Sequence, residues 1–368
     1  MKEIYLDNAA TTKMSNKVIR AMNSAAKTYG NPSSPHLIGK EARKALENAK
    51  KRLAAKINCL PFEIVLTASG TESNNLLILG CAEAQTRKKK LIISSIEHSS
   101  IYEPAMELKR QGYEIVLIPI DREGIVDIEF LRREIDANTL LVSVIHANSE
   151  TGVIQDIESI GKICREKGVL FHTDALQSFA KIPIDVKKMN VDLLSAGAHK
   201  IGGPKGIGLL YVRSGVSIKP LIYGGGQEKG LRSGTENVWG AMGFAVASEE
   251  NNNSAKVRNV RNYFVKEVEK IGGKWNGSED RTIYCHAHIS FPGFSGQSIV
   301  SYLSEKGIMC STGSACDSKI EEKRVLESIG LPDEEIKGAV RFVFSQENKK
   351  KDVDSVIKHL STFFKLYR

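Results

Sequence analysis

The sequence has 368 residues, of which 41% are hydrophobic and 26% are charged. These proportions exclude a disordered, collagen-like or coiled-coil chain, and the length predicts about two to three domains, or one large domain with a smaller partner. Lys and Arg outnumber Asp and Glu by 52 to 43, a net charge of +9. We interpret this charge as a lysine-rich solvated surface, so direct nucleic-acid binding is not expected.

Neither a membrane span nor a secretory signal is expected. No apolar run approaches the roughly 18 residues that a transmembrane helix requires. The first residues show no basic stretch followed by an apolar one. The six cysteines include no CxxC pair, so reduced thiols are expected rather than a disulfide framework. These expectations together predict a cytoplasmic location.

Apolar runs rich in β-branched residues recur between residues 60 and 215 and predict buried strands. In chain order they cover residues 64–66, 91–93, 115–118, 140–145, 169–171, 193–194 and 207–212. Residues 40–53 have their apolar side chains on one helical face, which predicts an amphipathic helix before the first of these strands. The alternation of strands and helices is typical of an α/β domain with a mostly parallel central sheet flanked by helices.

The pattern changes after the polar stretch at residues 249–254, which is the best candidate for a domain boundary. A helix is predicted over residues 257–271, followed by short strands and helices. A smaller C-terminal α+β domain fits this part of the chain. No P-loop, no GxGxxG pattern and no zinc-ligand spacing occurs, so no nucleotide-binding motif and no metal site is predicted.

Three groups of residues follow predicted strands and could bind a ligand or react with it. Residues 69–71 (SGT) open a helical pattern, where backbone N–H groups can bind an anion, although a plain helix cap explains the same residues. Asp174 and Lys200 each come just beyond a buried strand, and ligands of open α/β sheets bind at the carboxyl ends of the strands. An anion cradle, a carboxylate and a lysine amine together suit pyridoxal phosphate.

A series of short motifs runs through the chain in a fixed order. They are residues 5–12 (YLDNAATT), 30–36 (GNPSSPH), 69–75 (SGTESNN), 97–98 (EH), 146–148 (HAN), 172–177 (HTDALQ), 199–200 (HK), 203–208 (GPKGIG), 232–235 (RSGT) and 313–316 (GSAC). Each motif is modest alone, but in this order they are highly specific. Nearly end to end, the chain resembles the cysteine desulfurases, which are class V, fold-type I pyridoxal-phosphate enzymes.

This resemblance implies a fold-type I architecture and a role for each matching residue around the cofactor. Lys200 is expected to form the Schiff base and to move protons, while Asp174 pairs with the pyridinium nitrogen. Gln177 is expected to hydrogen-bond the phenolic oxygen of the cofactor. His98 is expected to stack on the ring and to act as an acid or base; the alternative is a structural histidine at a strand end.

The phosphate and the substrate have their own expected partners. The resemblance implies that Gly70, Thr71 and His199 hold the phosphate. Thr235 is expected to reach the phosphate of a neighbouring subunit in a homodimer; alternatively, it only caps a local helix. Arg341 is expected to bind the substrate α-carboxylate.

Asn148 is expected to assist Arg341 and to contact the cofactor. The alternative for both Arg341 and Asn148 is an ordinary surface contact. By the same resemblance, the large domain covers residues 13–250. The small domain combines residues 1–12 with residues 251–368.

Cys316 is the expected nucleophile. Small and polar residues surround it, which is typical of an exposed loop that carries a reactive thiol. The resemblance implies that Cys316 takes the sulfur of L-cysteine as a persulfide and leaves L-alanine. The sulfur would then pass to an acceptor protein for iron–sulfur cluster assembly or tRNA thiolation. Cys310, after an apolar pair, is interpreted as structural.

Two departures from the family pattern stand out, and two rival functions remain open. Gly197 occupies the position at which the family usually has a serine on the phosphate, so the affinity for the cofactor is expected to be lower. Residues 342–346 (FVFSQ) replace a Ser-Leu-Gly-like run. The rivals are another enzyme of this fold, such as a selenocysteine lyase or an aminotransferase, and a non-catalytic scaffold or basic tRNA-binding subunit on a decayed enzyme fold. Cys316 argues against the first, and Lys200 together with Cys316 argues against the second.

Overall fold

The computed structural model describes residues 3–250, 253–312 and 319–367. Its strands are β1 Ile4–Tyr5, β2 Ile64–Thr67, β3 Lys90–Ser94, β4 Glu114–Ile118, β5 Thr139–Ser143, β6 Leu170–Asp174, β7 Leu193–Gly197, β8 Gly208–Val212, β9 Lys274–Trp275, β10 His286–Ser290, β11 Ile308–Met309 and β12 Ala339–Val343. Its helices are α1 Asn16–Ala25, α2 Leu37–Ala55, α3 Gly70–Ala84, α4 Ser99–Arg110, α5 Ile128–Glu134, α6 Ile157–Lys167, α7 Val238–Ser248, α8 Ser254–Glu269, α9 Gly296–Glu305, α10 Lys319–Ser328, α11 Asp333–Lys337 and α12 Lys350–Leu366.

The central sheet contains all the strands predicted between residues 60 and 215. Within the described residues it has seven strands in the order β2-β8-β7-β6-β5-β3-β4. All of them run in the same direction except β8, which is antiparallel to both of its neighbours. The connection between β7 and β8 is too short to hold a crossover helix, so the chain has to turn back on itself. The predicted α/β fold with a mostly parallel sheet is confirmed.

Helices cover the sheet and bury its side chains on both faces. Strands β3, β5, β7 and β8 are buried at every residue, as expected for a sheet flanked by helices. The helix predicted over residues 40–53 is α2, and it buries Ala42, Leu46, Ala49 and Leu53 as the apolar periodicity requires. Among the described residues, no helix is long and apolar enough to cross a membrane.

The C-terminal part of the chain forms a second core together with the N-terminal segment. An antiparallel sheet of order β12-β10-β9 packs against α8, and the short strand β1 pairs in parallel with β11. Ile4, Leu6 and Ala9 lie in the same buried hydrophobic cluster as apolar side chains between residues 257 and 364. The exact domain limits given above stay a prediction.

Candidate active site

The carboxyl ends of the parallel strands surround one small cavity. Its volume is about 200 Å³. The cavity is lined by Ala9, Ala10, Ser69, Gly70, Thr71, His98, Ile145, Ser149, Glu150, Asp174, Leu176, Gln177, His199, Lys200 and Arg341. Most of these residues follow β2, β3, β5, β6 and β7, because strands that run in one direction bring the residues beyond them to a single edge of the sheet.

Lys200 ends the short 3-10 turn that follows β7, and its amine lies in this cavity. The ammonium Nζ donates to the carbonyl oxygens of Ala9 and Ala10, the latter at 2.9 Å. Burial, together with the charges of Arg341 and Lys181, lowers the pKa of Lys200 from 10.5 to about 8. A lysine amine with a lowered pKa has a larger neutral fraction near neutrality, and only the neutral amine is a nucleophile.

Asp174 is the last residue of β6, and its carboxylate is almost fully buried. Asn74 Nδ2 donates to one carboxylate oxygen at 2.8 Å, and the backbone N–H of Leu176 donates to the other at 2.9 Å. Burial raises the pKa of Asp174, while the nearby His98 and these two hydrogen bonds act in the opposite direction. The carboxylate is therefore held in one orientation, and a cationic or protonated partner in the cavity would favour its charged form.

His98 precedes α4 and caps its N-terminus through the ring nitrogen Nδ1. The backbone N–H of Ser100 donates to Nδ1 at 3.1 Å, and the Ser100 hydroxyl oxygen lies 2.7 Å from it. The preceding residue, Glu97, is fully buried and accepts hydrogen bonds from the Ser94 hydroxyl and the Ile145 N–H. Burial, together with the charge of Asp174, raises the pKa of Glu97 to about 8.

The N-terminus of α3 closes one end of the cavity. The Ser69 side chain accepts from the Glu72 N–H and so caps the helix, while Gly70 and Thr71 line the cavity. A Cβ at Gly70 would lie 2.3 Å from the Leu176 side chain, so a larger residue here would require that side chain to move. The predicted anion cradle and the helix cap are thus the same residues: Ser69 caps, and the backbone N–H groups of the first turn remain for an anion.

His199 and Gly197 stand beside this helix N-terminus. His199 Nδ1 lies 3.2 Å from the Thr11 hydroxyl, and burial together with the charges of Lys200, Lys205 and Lys181 lowers its pKa to about 4. A neutral His199 can still donate one ring N–H. At Gly197 the backbone is extended, and an added Cβ would meet nothing closer than 3.8 Å. The position where the family usually has a serine therefore has room for a side chain.

Arg341 lies on β12 and reaches the cavity from the second core. Its guanidinium pairs with Glu150 at 2.8 Å and with Asp7 at 3.2 Å, and it donates to the Ser149 carbonyl at 3.1 Å. Burial raises the pKa of Asp7, although the charge of Arg341 opposes this shift. A substrate carboxylate that binds Arg341 would have to compete with these two carboxylates, of which Asp7 is the more exposed.

The structure does not bring every predicted residue to the cavity. Asn148 is fully buried: its amide donates to the Ile96 carbonyl and accepts from the backbone N–H groups of Glu150 and Thr151. Its contact with cofactor and substrate stays a prediction. Thr235 is exposed and does not line the cavity of its own chain. Cys316 lies outside the described residues.

Gln177 does line the cavity, with its amide held in place by the main chain. Its Nε2 donates to the Ala9 carbonyl at 3.0 Å, and its Oε1 accepts from Lys181 at 3.4 Å. Lys181 and Lys200 line a second cavity of about 530 Å³, together with residues of the N-terminal segment. Lys200 thus lines both cavities.

Sequence reasoning missed several polar residues that hold the predicted ones. Asn74 binds Asp174, Ser100 binds His98, and Asp7 and Glu150 bind Arg341. Two of them, Asp7 and Asn74, stand inside motifs that carried the resemblance. The motifs therefore pointed to Asp7 and Asn74 but did not indicate which residues they bind. A contact across a hundred residues or more is visible only in the folded chain.

The chain is similar to proteins of known family and structure. The chain matches the family model for class V aminotransferases over residues 4–356. It is similar to a cysteine desulfurase IscS from Dictyoglomus turgidum, at 41% identity over 100% of this chain and 96% of that protein. A solved NifS-like protein has a TM-score of 0.94 at 34% identity, covering 99% of this chain and 100% of its own. The solved complex of SspA with cysteine has a TM-score of 0.84 at 34% identity, covering 93% of this chain and 99% of its own.

Proposed function

The chain belongs to the class V aminotransferase family and has cysteine desulfurases among its relatives, and from this premise we propose that it is a pyridoxal-phosphate-dependent cysteine desulfurase. The observation that carries the proposal is the meeting of Lys200, Asp174 and His98 with the N-terminus of α3 in one cavity. Family membership supports the reaction class, and the groups that line this cavity support binding of the cofactor.

The donor set of the cavity fits the proposed cofactor at each of its functional groups. The backbone N–H groups at Gly70 and Thr71, with His199, would hold the phosphate. The buried carboxylate of Asp174 would accept a hydrogen bond from the ring nitrogen, and Gln177 would bind the phenolic oxygen. Bound there, pyridoxal phosphate would supply an electron sink for negative charge at the substrate α-carbon.

Three side chains would act on the substrate, L-cysteine. Arg341 would bind its α-carboxylate, which fixes the plane of the groups around the α-carbon. The amine of Lys200, with its pKa lowered to about 8, can accept and return a proton at the α-carbon. The imidazole of His98 lies on the same cavity and can hold a proton at Nε2, because Nδ1 is engaged by Ser100.

Cys316 would take the sulfur. A bond forms between the Cys316 thiolate and the substrate sulfur, and the bond between that sulfur and the substrate carbon breaks. The electron pair of the broken bond stays with the carbon skeleton, which gains a proton and leaves as L-alanine. Cysteine and one protein thiol thus become alanine and one protein persulfide, with no external oxidant or reductant.

A homodimer is part of this proposal. Thr235 is exposed, and the segment beside it carries exposed apolar side chains at Leu221, Ile222 and Tyr223. Thr235 of the partner subunit would complete the phosphate site. The sulfur would then pass to an acceptor protein for iron–sulfur cluster assembly or tRNA thiolation, in the cytoplasm.

The test is the intact mass of the purified protein after incubation with L-cysteine in the absence of reductant. We expect one added sulfur in the native chain and in a Cys310→Ala control, because Cys310 is buried. No sulfur should be added in Cys316→Ala. The alanine released should match the sulfur transferred to an added acceptor thiol. Bound cofactor without added sulfur or alanine would refute desulfuration and favour another amino-acid reaction.

A further inference from the structure

A chain of hydrogen bonds runs from Asp174 to His98 through two residues that the proposed mechanism does not use. Asn74 Nδ2 donates to Asp174 at 2.8 Å and also to the hydroxyl oxygen of Ser100, again at 2.8 Å. The Ser100 oxygen lies 2.7 Å from Nδ1 of His98. These residues come from β6, from the second turn of α3 and from the start of α4, so the contact joins three elements of the fold.

The direction of each hydrogen bond follows from the donors available. An amide nitrogen only donates, so the Ser100 oxygen accepts from Asn74. Its own hydrogen is then free to point at Nδ1 of His98. The backbone N–H of Ser100 also donates to Nδ1, at 3.1 Å. Nδ1 therefore accepts from both groups, and the hydrogen of the neutral imidazole has to be on Nε2.

Because these residues are buried, water does not readily replace the hydrogen bonds between them. Asn74 and Asp174 are 0% and 2% exposed, and Ser100 is 7% exposed. In such surroundings a hydrogen bond is not easily replaced by one to solvent, so the orientation of Asn74 decides the orientation of Ser100, and Ser100 that of the imidazole. His98, at the other end of this series of hydrogen bonds, lines the cavity.

We propose that Ser100, oriented by Asn74, is a positioning residue that fixes the His98 ring and keeps its hydrogen on Nε2, so that His98 enters the reaction as a proton donor. This inference rests on the proposed function, because the reaction decides what the proton is used for. Ser100 does not line the cavity, so it would act only through His98. Asn74 joins the ring to Asp174, so both groups keep a fixed relation across the cavity.

The first test is spectroscopic and needs neither cofactor nor turnover. In the full chain labelled with ¹⁵N-histidine, the ring nitrogens of His98, assigned by comparison with His98→Gln, should show a single neutral tautomer with hydrogen on Nε2. In Ser100→Ala the two ring shifts should move towards each other, because one of the two donors to Nδ1 is lost. Ser100→Thr keeps a hydroxyl and should restore the native shifts. Ser298→Ala, on an exposed serine in the first turn of α9, is the control.

The second test is a double-mutant cycle on the holoenzyme. Ser100→Ala should lower kcat about fivefold and change KM less than twofold, because the backbone N–H of residue 100 still donates to Nδ1 and the substrate contacts remain. In the His98→Gln background, Ser100→Ala should cause no further loss, since Ser100 acts through the ring. Asn74→Leu should reproduce the change in the ring shifts if Ser100→Ala folds poorly.

Two results would overturn the inference. One is unchanged ring shifts in Ser100→Ala. The other is a loss of kcat that is equally large with and without the imidazole of His98, which would indicate a general structural effect. A native chain that releases no alanine from cysteine would refute the proposed function instead, while the shifts would still decide whether Ser100 fixes the tautomer.

Discussion

Lys200 shows how the fold changes the chemistry of a single residue. Its ammonium is removed from water and faces other cations, so its pKa falls from 10.5 to about 8. The sequence identified this lysine by its motif, but a motif carries no information on burial or on the distance to Arg341. The reactivity of the amine follows only from the folded environment.

We expect this pKa to set the pH dependence of cofactor attachment. In the apoprotein, the rate of pyridoxal phosphate attachment should rise with pH through a midpoint near 8, because the neutral amine is the reactive form and predominates above the pKa. The rate can be followed by visible absorbance and divided by that of a free alkylamine, which corrects for titration of the cofactor itself. A midpoint near 10.5 would show that the burial of Lys200 has no effect. The Lys200→Ala variant should show no absorbance change from cofactor attachment, because it lacks the amine.

Gly197 gives the second prediction for a single residue. Its backbone is extended and a Cβ fits without a clash, so Gly197→Ser should be accepted without strain. A serine hydroxyl next to the proposed phosphate site can add a hydrogen bond to a charged group, which contributes about 1.5–3 kcal/mol. We expect the dissociation constant for pyridoxal phosphate to fall about tenfold or more, measured by equilibrium dialysis.

The control for this change is Gly197→Ala, which adds the Cβ but no hydroxyl. It should leave the dissociation constant within about twofold of the native value. If alanine and serine gave equal affinities, a backbone effect and not the hydroxyl would be responsible. If serine weakened binding, Gly197 would be shown to suit a phosphate placed differently from the one proposed.

The structure brings predicted residues together where a motif stands next to a strand end, and sequence reasoning missed the partners that come from elsewhere in the chain. Lys200 and Asp174 could be placed together because parallel strands end at one edge, whereas His98 was expected beside them only from the resemblance. The pairing of Arg341 with Glu150 and Asp7 could not be foreseen, since those residues are separated by 191 and 334 positions. Asn148 shows the limit of residue type alone: its amide is used by its own turn.

At the scale of elements, the periodicity of apolar residues predicted the strands and helix α2 but not every direction or pairing. The reversal of β8 follows from the short connection after β7. The length of this connection alone predicts that the two strands are antiparallel. The two-residue strands β1 and β11 carry no periodic signal, because they pair only through residues that the fold brings together. Their existence depends on the second core.

Helix α10 packs against the segment that connects β3 to α4. The guanidinium of Arg324 donates to the carbonyl oxygens of Ser95 and Glu97 and lies 4.4 Å from the ring centroid of Tyr102. The neighbouring Val325 packs in a buried cluster with Ile96. These contacts hold the carbonyl group of Glu97 and therefore the peptide bond between Glu97 and His98.

Arg324→Ala should loosen this segment without unfolding the protein. Losing two charge-assisted hydrogen bonds, partly exposed, is expected to cost about 2 kcal/mol locally, which corresponds to roughly 30-fold faster amide exchange over residues 95–98. Hydrogen exchange followed by mass spectrometry measures this directly. Lys323→Ala is the control, because its pair with Glu327 lies on an exposed helix face and contributes little. Equal exchange in both variants would show that Arg324 does not hold the segment.

At the scale of the whole molecule, the exposed apolar side chains argue for a second copy of the chain. Tyr223 and Trp239 are 72% and 47% exposed, and they flank Thr235 in the sequence. The Ile222 carbonyl accepts from the Ser233 N–H, so this segment and the loop that carries Thr235 lie side by side. Large exposed apolar surface near a residue expected to serve a neighbouring subunit is what an isologous interface would show.

We therefore expect that disrupting the proposed dimer also weakens binding of the cofactor. Tyr223→Asp combined with Trp239→Lys places charges on the proposed interface, and sedimentation should show a shift from dimer to monomer. The affinity for pyridoxal phosphate should fall in the same variant, because Thr235 of the partner subunit is lost from the phosphate site. A Thr235→Val dimer should show the loss of affinity without dissociation. Leu117→Lys, on the edge strand β4, is the control and should change neither property. A monomer that binds the cofactor with native affinity would show that each chain completes its own site.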